Sequence, residues 1–317
     1  MSLVAKNNGR ALGFAACALA SCFWGCGFYF GKIALAEMNV GAMVFYRFAF
    51  AALGLLPVLF THRPHFSGRE WRLLLIASLL GIPLQFLLQF YGLSITTVSH
   101  ASLMVGTMPV LLAVGATLFA HERLPGLGWG ALAVSTLGAA LIVFGGHHGS
   151  GPHGSTQPGG PSLAGDLCVV VSMGIALFWI LINQRLLRTH SSVAVSAYGL
   201  FLGTGMLALC VPPFWGLPPV HGISGKVWLA LAASGLLCTA STTLLWNWGL
   251  TRVPASQAGV LLNIEPLMGS ILGVALLGDH LGGWAYLGGA MILVAALALT
   301  ARSSTVAEAA SDELAIS

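Results

Sequence analysis

The chain has 317 residues, of which 7% are charged and 57% are hydrophobic, with a formal net charge of +4. An ordinary soluble domain carries roughly 25% charged residues, so this chain could not cover a water-facing surface. The composition therefore excludes an open aqueous enzyme, a nucleic-acid-binding protein and a disordered scaffold, and it favours a protein that lies in a lipid bilayer.

Ten apolar segments are each long enough to cross a bilayer, which takes about 20 residues in a helix. In chain order the predicted spans are 11–34, 40–60, 71–91, 96–119, 126–145, 163–187, 193–215, 227–250, 254–277 and 284–301. They are too long and too evenly apolar for the alternating strands of a membrane barrel. We therefore expect an all-α integral membrane protein with ten transmembrane helices.

The basic residues indicate how the spans alternate across the membrane. With the N-terminus in the cytoplasm, ten of the 13 Lys and Arg residues fall on the cytoplasmic side and only Lys226 falls on the other. Positively charged loops remain on the cytoplasmic side of a membrane. We therefore expect both termini in the cytoplasm, and we call the side of Lys226 the outer side.

An internal repeat divides the chain into two copies. Residues 71–124 align with residues 228–281 without a gap, at an offset of 157. A weaker match at an offset of 152 pairs Gly13 with Gly165. Because each copy holds five predicted spans, an odd number, the second copy enters the membrane from the opposite side, which is a common architecture of secondary transporters.

The repeat also predicts the domain boundaries. A first five-helix repeat at 1–145 and a second at 163–302 are joined by the Gly/Pro/His-rich linker 146–162, which we expect to be flexible. The tail 303–317 is polar and acidic, and we expect a disordered cytoplasmic segment there. The linker has no fixed frame for its histidines and the cysteines lack metal-site spacing, so we expect neither a metal nor a cofactor.

Several motifs in the two copies are family-specific, above all in the fourth and ninth predicted spans and the residues after them. They are Trp24-Gly25, Phe45-Tyr46-Arg47-Phe48, Ser99-His100-Ala101, Pro109, Glu122-Arg123-Leu124, Pro254-Ala255-Ser256, Glu265-Pro266 and Gly278-Asp279-His280-Leu281. With them, residues 10–302 resemble the ten-helix members of the drug/metabolite transporter superfamily that carry two EamA domains. Within that superfamily the chain is most similar to bacterial exporters of amino acids, including the aromatic amino-acid exporters.

This resemblance implies a multi-pass protein of the bacterial inner (cytoplasmic) membrane that works without ATP by alternating access through a central cavity. The sequence agrees, since it has no GxxxxGK[ST] phosphate loop. We expect export of small metabolites, above all amino acids including aromatic ones. The expected partners are a small-molecule substrate and the bilayer, without nucleic acid. The exact substrate, proton coupling and a homodimeric state are left open.

Two other functions are weighed against this one. The same fold could export lipophilic cations or drugs, with Glu265 as the cation site and aromatic rings in support. An intramembrane enzyme would need a nucleophile or a paired acid and base near an interface. The acidic residues near helix ends are single ones, so we do not expect an enzyme.

Two prolines lie near the middle of the fourth and ninth predicted spans, at matching positions of the repeat. These residues are Pro109 and Pro266. A proline inside a helix removes one backbone hydrogen bond and clashes with the preceding turn, so each helix should kink there. A kink at mid-span suits a hinge beside a substrate cavity, and it equally suits a static bend.

Arg47 and Glu265 lie well inside predicted spans, where an unpaired charge is unfavourable. Glu265 could attract a substrate ammonium group or carry a proton, and Arg47 could hold a substrate carboxylate. A structural ion pair between them is the alternative. Asn263 points nearly opposite to Glu265 on a straight helix, so both line one cavity only if the helix bends. Lys32, near the outer end of the first span, is typical of an anchor that snorkels.

Uncharged polar and aromatic side chains complete the expected substrate-binding set. Amide, imidazole, hydroxyl and indole groups can hydrogen-bond a zwitterion without the unfavourable desolvation of a buried charge. The candidates are Trp24, Phe28, Gln85, Gln89, Tyr91, His100 with its repeat partner Gln257, Trp179, Asn183, Thr242 and Trp246. For each aromatic residue, the alternative is a lipid-facing position.

Overall fold

A computed structural model describes residues 3–61, 64–108, 111, 115, 126–145, 160, 162–250, 252, 261–295 and 298. Its ordered secondary structure in these residues is entirely helical. The helices are α1 (Leu3–Leu35), α2 (Val40–Thr61), α3 (Gly68–Ser94), α4 (Val98–Val105), α5 (Gly126–Gly145), α6 (Leu163–Leu186), α7 (Ser192–Trp215), α8 (Gly225–Leu250), α9 (Ile264–Leu277) and α10 (Gly283–Ala295).

Six of the described helices are long and apolar enough to cross a membrane, namely α1, α2, α3, α6, α7 and α8, and shorter apolar helices lie within α5, α9 and α10. Large apolar side chains such as Leu209, which is 79% exposed, cover the outside of the bundle as lipid contact requires. The all-helical membrane class is confirmed. The count of ten spans stays a prediction, because parts of the predicted fourth, ninth and tenth spans lie outside the described residues, namely 109–110, 112–114, 116–119, 254–260, 296–297 and 299–301.

Serine and threonine caps explain where many helices begin. A side-chain oxygen of each cap accepts a hydrogen bond from a backbone N–H of the first turn, which would otherwise have no partner. The caps are Ser67 on α3, Thr97 on α4, Ser162 on α6, Ser191 on α7 and Ser224 on α8. Helix α9 ends at Leu277 and is capped by Gly278, whose left-handed backbone (φ 71°) suits glycine.

Many contacts between two helices have a counterpart in which each helix is replaced by the one five places away in the chain. Helix α1 packs on α8 and α9, and in the same way α6 packs on α3 and α4. The contact of α2 with α8 has its counterpart in that of α7 with α3, while α2–α7 and α4–α9 are contacts between matching helices. Helix α1 therefore lies at the centre of the bundle, against helices of both halves.

Glycines bring helices of the two halves into close contact in two sequence-related pairs, α3 with α6 and α8 with α1. A Cβ atom on Gly92 of α3 would lie 2.6 Å from the carbonyl oxygen of Gly165 on α6. At the sequence-related place, a Cβ atom on Gly249 of α8 would lie 3.0 Å from the carbonyl oxygen of Gly13 on α1. Backbones can approach this closely only where a side chain is absent, which is the usual role of small residues in membrane helix pairs.

Helices α3 and α8 also share an irregular segment. Each contains a π-helical segment, Leu80–Leu84 in α3 and Leu236–Ser241 in α8. Shifted by the repeat offset, the first segment becomes 237–241, which lies inside the second. Such segments are rare and often mark functional places in a helix.

Contacts between loops agree with the predicted alternation of the spans. On the outer side, Glu37 accepts hydrogen bonds from Ser224. On the other side, Glu70 accepts one from the Thr189 hydroxyl group and contacts His190 at 3.1 Å. Loops that we predict to share a side are therefore neighbours, while the side that faces the cytoplasm stays a prediction. The tail 303–317 and most of the linker 146–162 lie outside the described residues.

Candidate substrate site

Helices α4 and α9 are interrupted where the sequence predicts kinks. Helix α4 ends at Val105 and is followed by a turn at 106–107, while α9 begins after a turn at 262–263. The repeat offset moves position 106 onto 263, so the two turns overlap. The Gly106 and Glu265 amides donate to carbonyl groups three residues earlier, as in a tightened helical turn.

Pro266 itself takes a different part from the one expected. Pro266 is buried and is the third residue of α9, where a missing N–H leaves no helical hydrogen bond unmade. The helix is therefore interrupted just before Pro266 instead of being bent by it. Pro109 lies outside the described residues.

At the depth of the turn before α9, helix α1 contacts α2, α3, α8 and α9 through residues 24–28. The Trp24 and Trp246 rings are 5.3 Å apart between centroids, and Phe28 stacks on Phe90 at 6.2 Å. A Cβ atom on Gly25 would lie 2.6 Å from the carbonyl oxygen of Glu265. The structure thus brings Trp24, Phe28 and Trp246 together with the first turn of α9.

Arg47 lies beside this group and is 3% exposed. Its Nε donates to the Thr239 hydroxyl group at 3.0 Å, and its Nη2 donates to the Cys238 carbonyl oxygen at 3.3 Å. Its guanidinium carbon lies 5.3 Å from the Phe86 ring centroid and 5.2 Å from that of Phe90. Among the described residues, Nη1 makes no hydrogen bond.

The other predicted charge, Glu265, is half-buried in the first turn of α9. It acts electrostatically on Arg47, but the described residues contain no direct ion pair between the two. The structural ion pair that the sequence allows is therefore absent from the described contacts. Asn263, in the turn before α9, is buried. We call the set Trp24, Phe28, Arg47, Phe90, Trp246 and Glu265 the central site.

The two glutamines of α3 are both buried and lie one turn apart, as the sequence indicates. The Oε1 atom of Gln85 has no hydrogen-bond partner, which is unusual for a buried polar atom. One turn before Gln85, Gly81 makes room for the indole of Trp179 on α6, since a Cβ atom there would lie 2.6 Å from the indole nitrogen. Trp179 thus belongs to the α3–α6 contact, and Gln85 is buried one turn further along α3.

The remaining predicted residues are distributed more widely. Thr242 is buried and donates to the carbonyl oxygen of Thr239 in its own helix. Asn183 is half-buried on α6, one turn after Trp179. Tyr91 is 48% exposed, on a face of α3 with other exposed side chains, so it is not brought together with the buried glutamines. Gln257 lies outside the described residues.

His100 lies in a separate polar group at the outer end of α4. Its Nδ1 is 3.0 Å from Oδ2 of Asp166 at the start of α6, and each residue is 1% exposed. The other oxygen of Asp166 accepts a hydrogen bond from the Thr96 hydroxyl group at 2.7 Å. We call Lys32, Thr96, His100 and Asp166 the outer network.

Lys32 belongs to this network because its ammonium group donates to the carbonyl oxygens of Leu93 at 2.8 Å and Thr96 at 2.6 Å. Lys32 thus bonds carbonyl groups at the outer end of α3 and in the loop that follows, and its role as a snorkelling anchor stays a prediction. Asp166 was missed as a site residue. In the sequence, Asp166 stands out only as an acidic residue near the start of a helix that follows an outer loop. Many acidic residues at helix ends share this feature without forming a site.

No cluster of three or more His, Cys, Asp or Glu residues that could hold a metal is found in the part of the chain that the structure describes. The central site instead offers aromatic faces, one guanidinium group and one carboxylate beside two interrupted helices. This chemistry suits an amphipathic organic ligand.

Comparison with known proteins decides the family. A sequence model of the EamA-like transporter family matches residues 11–144 and again residues 163–301. The chain belongs to the EamA-like transporter family. Members of the EamA family are membrane transporters, so this chain is a multi-pass membrane transporter of small substrates and not an enzyme.

Similar EamA-type proteins carry transporter names. An uncharacterized transporter of Archaeoglobus fulgidus is 27% identical over 285 residues, which cover 89% of this chain and 95% of that protein. A probable terminal-alkyne amino-acid exporter of Streptantibioticus cattleyicolor is 24% identical over 206 residues, 64% of each chain. A solved crystal structure shares the fold with a TM-score of 0.62 and 18% identity, covering 92% of this chain and 98% of the other.

Proposed function

We propose that this EamA transporter exports amino acids, including aromatic ones, across the bacterial inner membrane by alternating access. The observation that carries the proposal is the pair of interrupted helices, α4 and α9, next to the central site. Interrupted helices at mid-membrane form the substrate site in many secondary transporters, because their exposed backbone groups line a cavity. The turns at 106–107 and 262–263 would serve as hinges, with Pro109 and Pro266 beside them.

The proposed architecture is ten spans in two inverted five-helix repeats, 1–145 and 163–302, with both termini in the cytoplasm. Three features support it. The EamA model matches the chain twice, the π-helical segments of α3 and α8 coincide at the repeat offset, and the Gly92–Gly165 contact has its counterpart in Gly13–Gly249. Exchanging the conformations of two such halves would open the central site to each side in turn.

The central site supports an amino-acid substrate. A carboxylate fits the guanidinium group of Arg47, because Nη1 has no hydrogen-bond partner among the described residues and a buried cation is stabilised by a paired anion. Glu265 would receive the ammonium group, and the rings of Trp24, Phe28 and Trp246 would hold an aromatic side chain. The similarity to a probable terminal-alkyne amino-acid exporter agrees with this substrate class.

The proposal is tested by counterflow in liposomes that contain the purified protein. Vesicles loaded with unlabelled phenylalanine or tryptophan should accumulate the labelled amino acid faster than protein-free vesicles. Trp24→Ala should lower this uptake, whereas Trp284→Ala, at an exposed Trp on α10, should not. Equal uptake with and without protein would exclude these substrates.

Export of lipophilic cations is a second candidate, favoured by the Trp24–Trp246 ring pair beside the half-buried Glu265. Aromatic faces and a carboxylate together attract an organic cation. In this case Glu265→Gln should abolish dye efflux from cells. An unchanged efflux profile in that variant would count against a cation site here.

A further inference from the structure

We propose that four arginines on the predicted cytoplasmic side form a binding site for an anionic phospholipid of the surrounding bilayer. They are Arg69 and Arg72 in the first turns of α3, and Arg185 and Arg188 at and just after the end of α6. We call these four residues the arginine cluster. The central site uses none of them, so the inference does not depend on the transported substrate.

A contact between two loops brings the arginine cluster together. Glu70 accepts a hydrogen bond from the Thr189 hydroxyl group at 3.1 Å. Every member of the cluster lies within four residues of Glu70 or Thr189 along the chain. Two of the arginines come from the first half of the chain and two from the second, so the cluster exists only in the folded protein.

The protein itself supplies no anion to the arginine cluster in the part of the chain that the structure describes. All four arginines are exposed, and none makes a hydrogen bond or an ion pair among the described contacts. The carboxylate of Glu70 accepts hydrogen bonds from Ser67 and Thr189 and contacts His190 instead. The cluster is therefore a local excess of positive charge, which attracts phosphate groups.

Exposed apolar side chains continue from the arginines along the helices. On α3, residues at spacings of three and four from Arg72 share its face, and they are Leu75, Ile76 and Leu79. On α6, spacings of four and seven place exposed residues on the face that ends at Arg185, namely Leu167, Val171 and Phe178. Because α3 and α6 pack against each other, both apolar stripes belong to one helix pair with arginines at one end.

A charged end above an apolar stripe matches the form of a phospholipid. The phosphate of the lipid lies at the membrane surface, and its acyl chains lie below it along apolar side chains. Guanidinium groups bind phosphate through two parallel hydrogen bonds, and basic residues beside membrane helices recognise anionic head groups in this way. A zwitterionic lipid also carries a cation, which four arginines repel, so the cluster favours an anionic lipid.

The orientation of the protein does not require the arginines to meet. Basic residues orient a membrane protein from separate cytoplasmic loops. At the repeat-related places of the opposite end, the four arginines are replaced by Ile33, Ala36, Lys226 and Leu229. The repeat therefore does not produce a second cluster, and the lipid site belongs to one leaflet.

The test measures lipid binding to the purified full-length protein in non-ionic detergent by native mass spectrometry. The probes are dioleoylphosphatidylglycerol, dioleoylphosphatidylcholine and inorganic phosphate. Phosphatidylglycerol should bind about 30-fold more tightly to the wild type than to Arg72→Gln/Arg185→Gln, the effect of two basic residues near an anionic lipid. Phosphatidylcholine should bind more weakly than phosphatidylglycerol to the wild type, and equally to both proteins.

Lys6→Gln/Arg252→Gln is the matched control, because it removes two positive charges from the same predicted side but outside the arginine cluster. It should bind phosphatidylglycerol as the wild type does. Arg69→Gln/Arg188→Gln is a second variant of the cluster, and it should lose affinity for the lipid to a similar extent.

Four results would each overturn the proposal. They are equal affinity of the wild type for the two lipids, unchanged phosphatidylglycerol binding in both cluster variants, an equal loss in the control variant, and displacement of the lipid by an equal concentration of inorganic phosphate. The last result would indicate a site for a free anion. The measurement involves no transport, so its outcome is independent of the counterflow of amino acids.

Discussion

At the scale of single residues, Arg47 combines two tasks that a lysine could not share. Its planar group reaches the π-helical segment of α8 through Thr239 and Cys238, and it lies over the rings of Phe86 and Phe90. A lysine has a single point charge and no planar face, so it cannot keep both hydrogen bonds and both ring contacts. The guanidinium group thus bonds the π-helical segment, and on the proposed function its Nη1 would bind the substrate carboxylate.

We therefore expect Arg47→Lys to lower the free energy of unfolding by about 2 kcal/mol, the typical effect of losing a hydrogen bond to a charged group. Denaturant unfolding in detergent micelles measures this change. Arg72→Lys, at an exposed position of α3, is the matched control and should unfold as the wild type. A stable Arg47→Lys protein would show that the bonds to α8 are dispensable.

Glu37, in the loop between α1 and α2, gives a prediction about pH. The hydroxyl group of Ser224 donates to this carboxylate at 2.6 Å and its amide donates at 2.7 Å, and the two bonds hold the pKa of Glu37 below its ordinary value. Because the pKa is lowered, the contact is intact above the ordinary pKa of glutamate and is lost as the pH falls through the lowered one.

Ser224→Ala should therefore raise the pKa of Glu37 towards its ordinary value. A carboxyl-carbon NMR titration of selectively labelled protein measures this pKa. Ser241→Ala is the control, since that hydroxyl group bonds carbonyl groups of its own helix. An unchanged pKa in Ser224→Ala would mean that the loop contact is absent in solution.

At the scale of helices, close packing depends on a few glycines, and α6 offers a direct comparison. A Cβ atom on Gly165 would lie 2.8 Å from the carbonyl oxygen of Gly92, whereas one on Gly174 of the same helix would meet nothing within 4 Å. Gly165→Ala should destabilise the protein by about 1–3 kcal/mol because the two helices must separate.

Gly174→Ala should be neutral or slightly stabilising, because alanine favours the helix more than glycine does. Thermal unfolding of both variants in the same detergent compares them. Equal melting temperatures for the two variants would mean that α3 and α6 are not in close contact.

The helices themselves could be predicted from the sequence, because long apolar segments and capping serines depend on local residues. Pro109 and Pro266 predict where α4 and α9 depart from a regular helix. They do not predict that the departure is a turn instead of a kink. The His100–Asp166 pair could not be predicted, since it joins residues 66 positions apart whose contact depends on how α4 and α6 pack. Arg47 was a predicted site residue, but its bonds to α8 depend on a π-helical segment that has no clear sequence signal.

At the scale of the whole molecule, α4 and α9 hold the outer ends of the two halves together. The Ser99 hydroxyl group donates to the Ser270 carbonyl oxygen at 3.3 Å. In return, the Ser270 hydroxyl group donates to the Ser99 carbonyl oxygen at 3.4 Å. Alternating access requires this contact to open in each transport cycle. A covalent link at this point should therefore stop transport.

The double variant Ser99→Cys/Ser270→Cys brings two thiols to this contact, at which backbone proximity favours a disulfide. Oxidation should reduce counterflow to the protein-free level, and a reducing agent should restore it. Each single variant, which retains the native cysteines, controls for other oxidised thiols. Full transport by the oxidised double variant would contradict a moving α4–α9 contact.

The π-helical segments of α3 and α8 also bear on the history of the chain. The hydrogen-bonded turn of a π-helix contains one residue more than that of an α-helix. On the proposed duplication, both copies retain this surplus at the same place. On that proposal, the extra residue is older than the duplication.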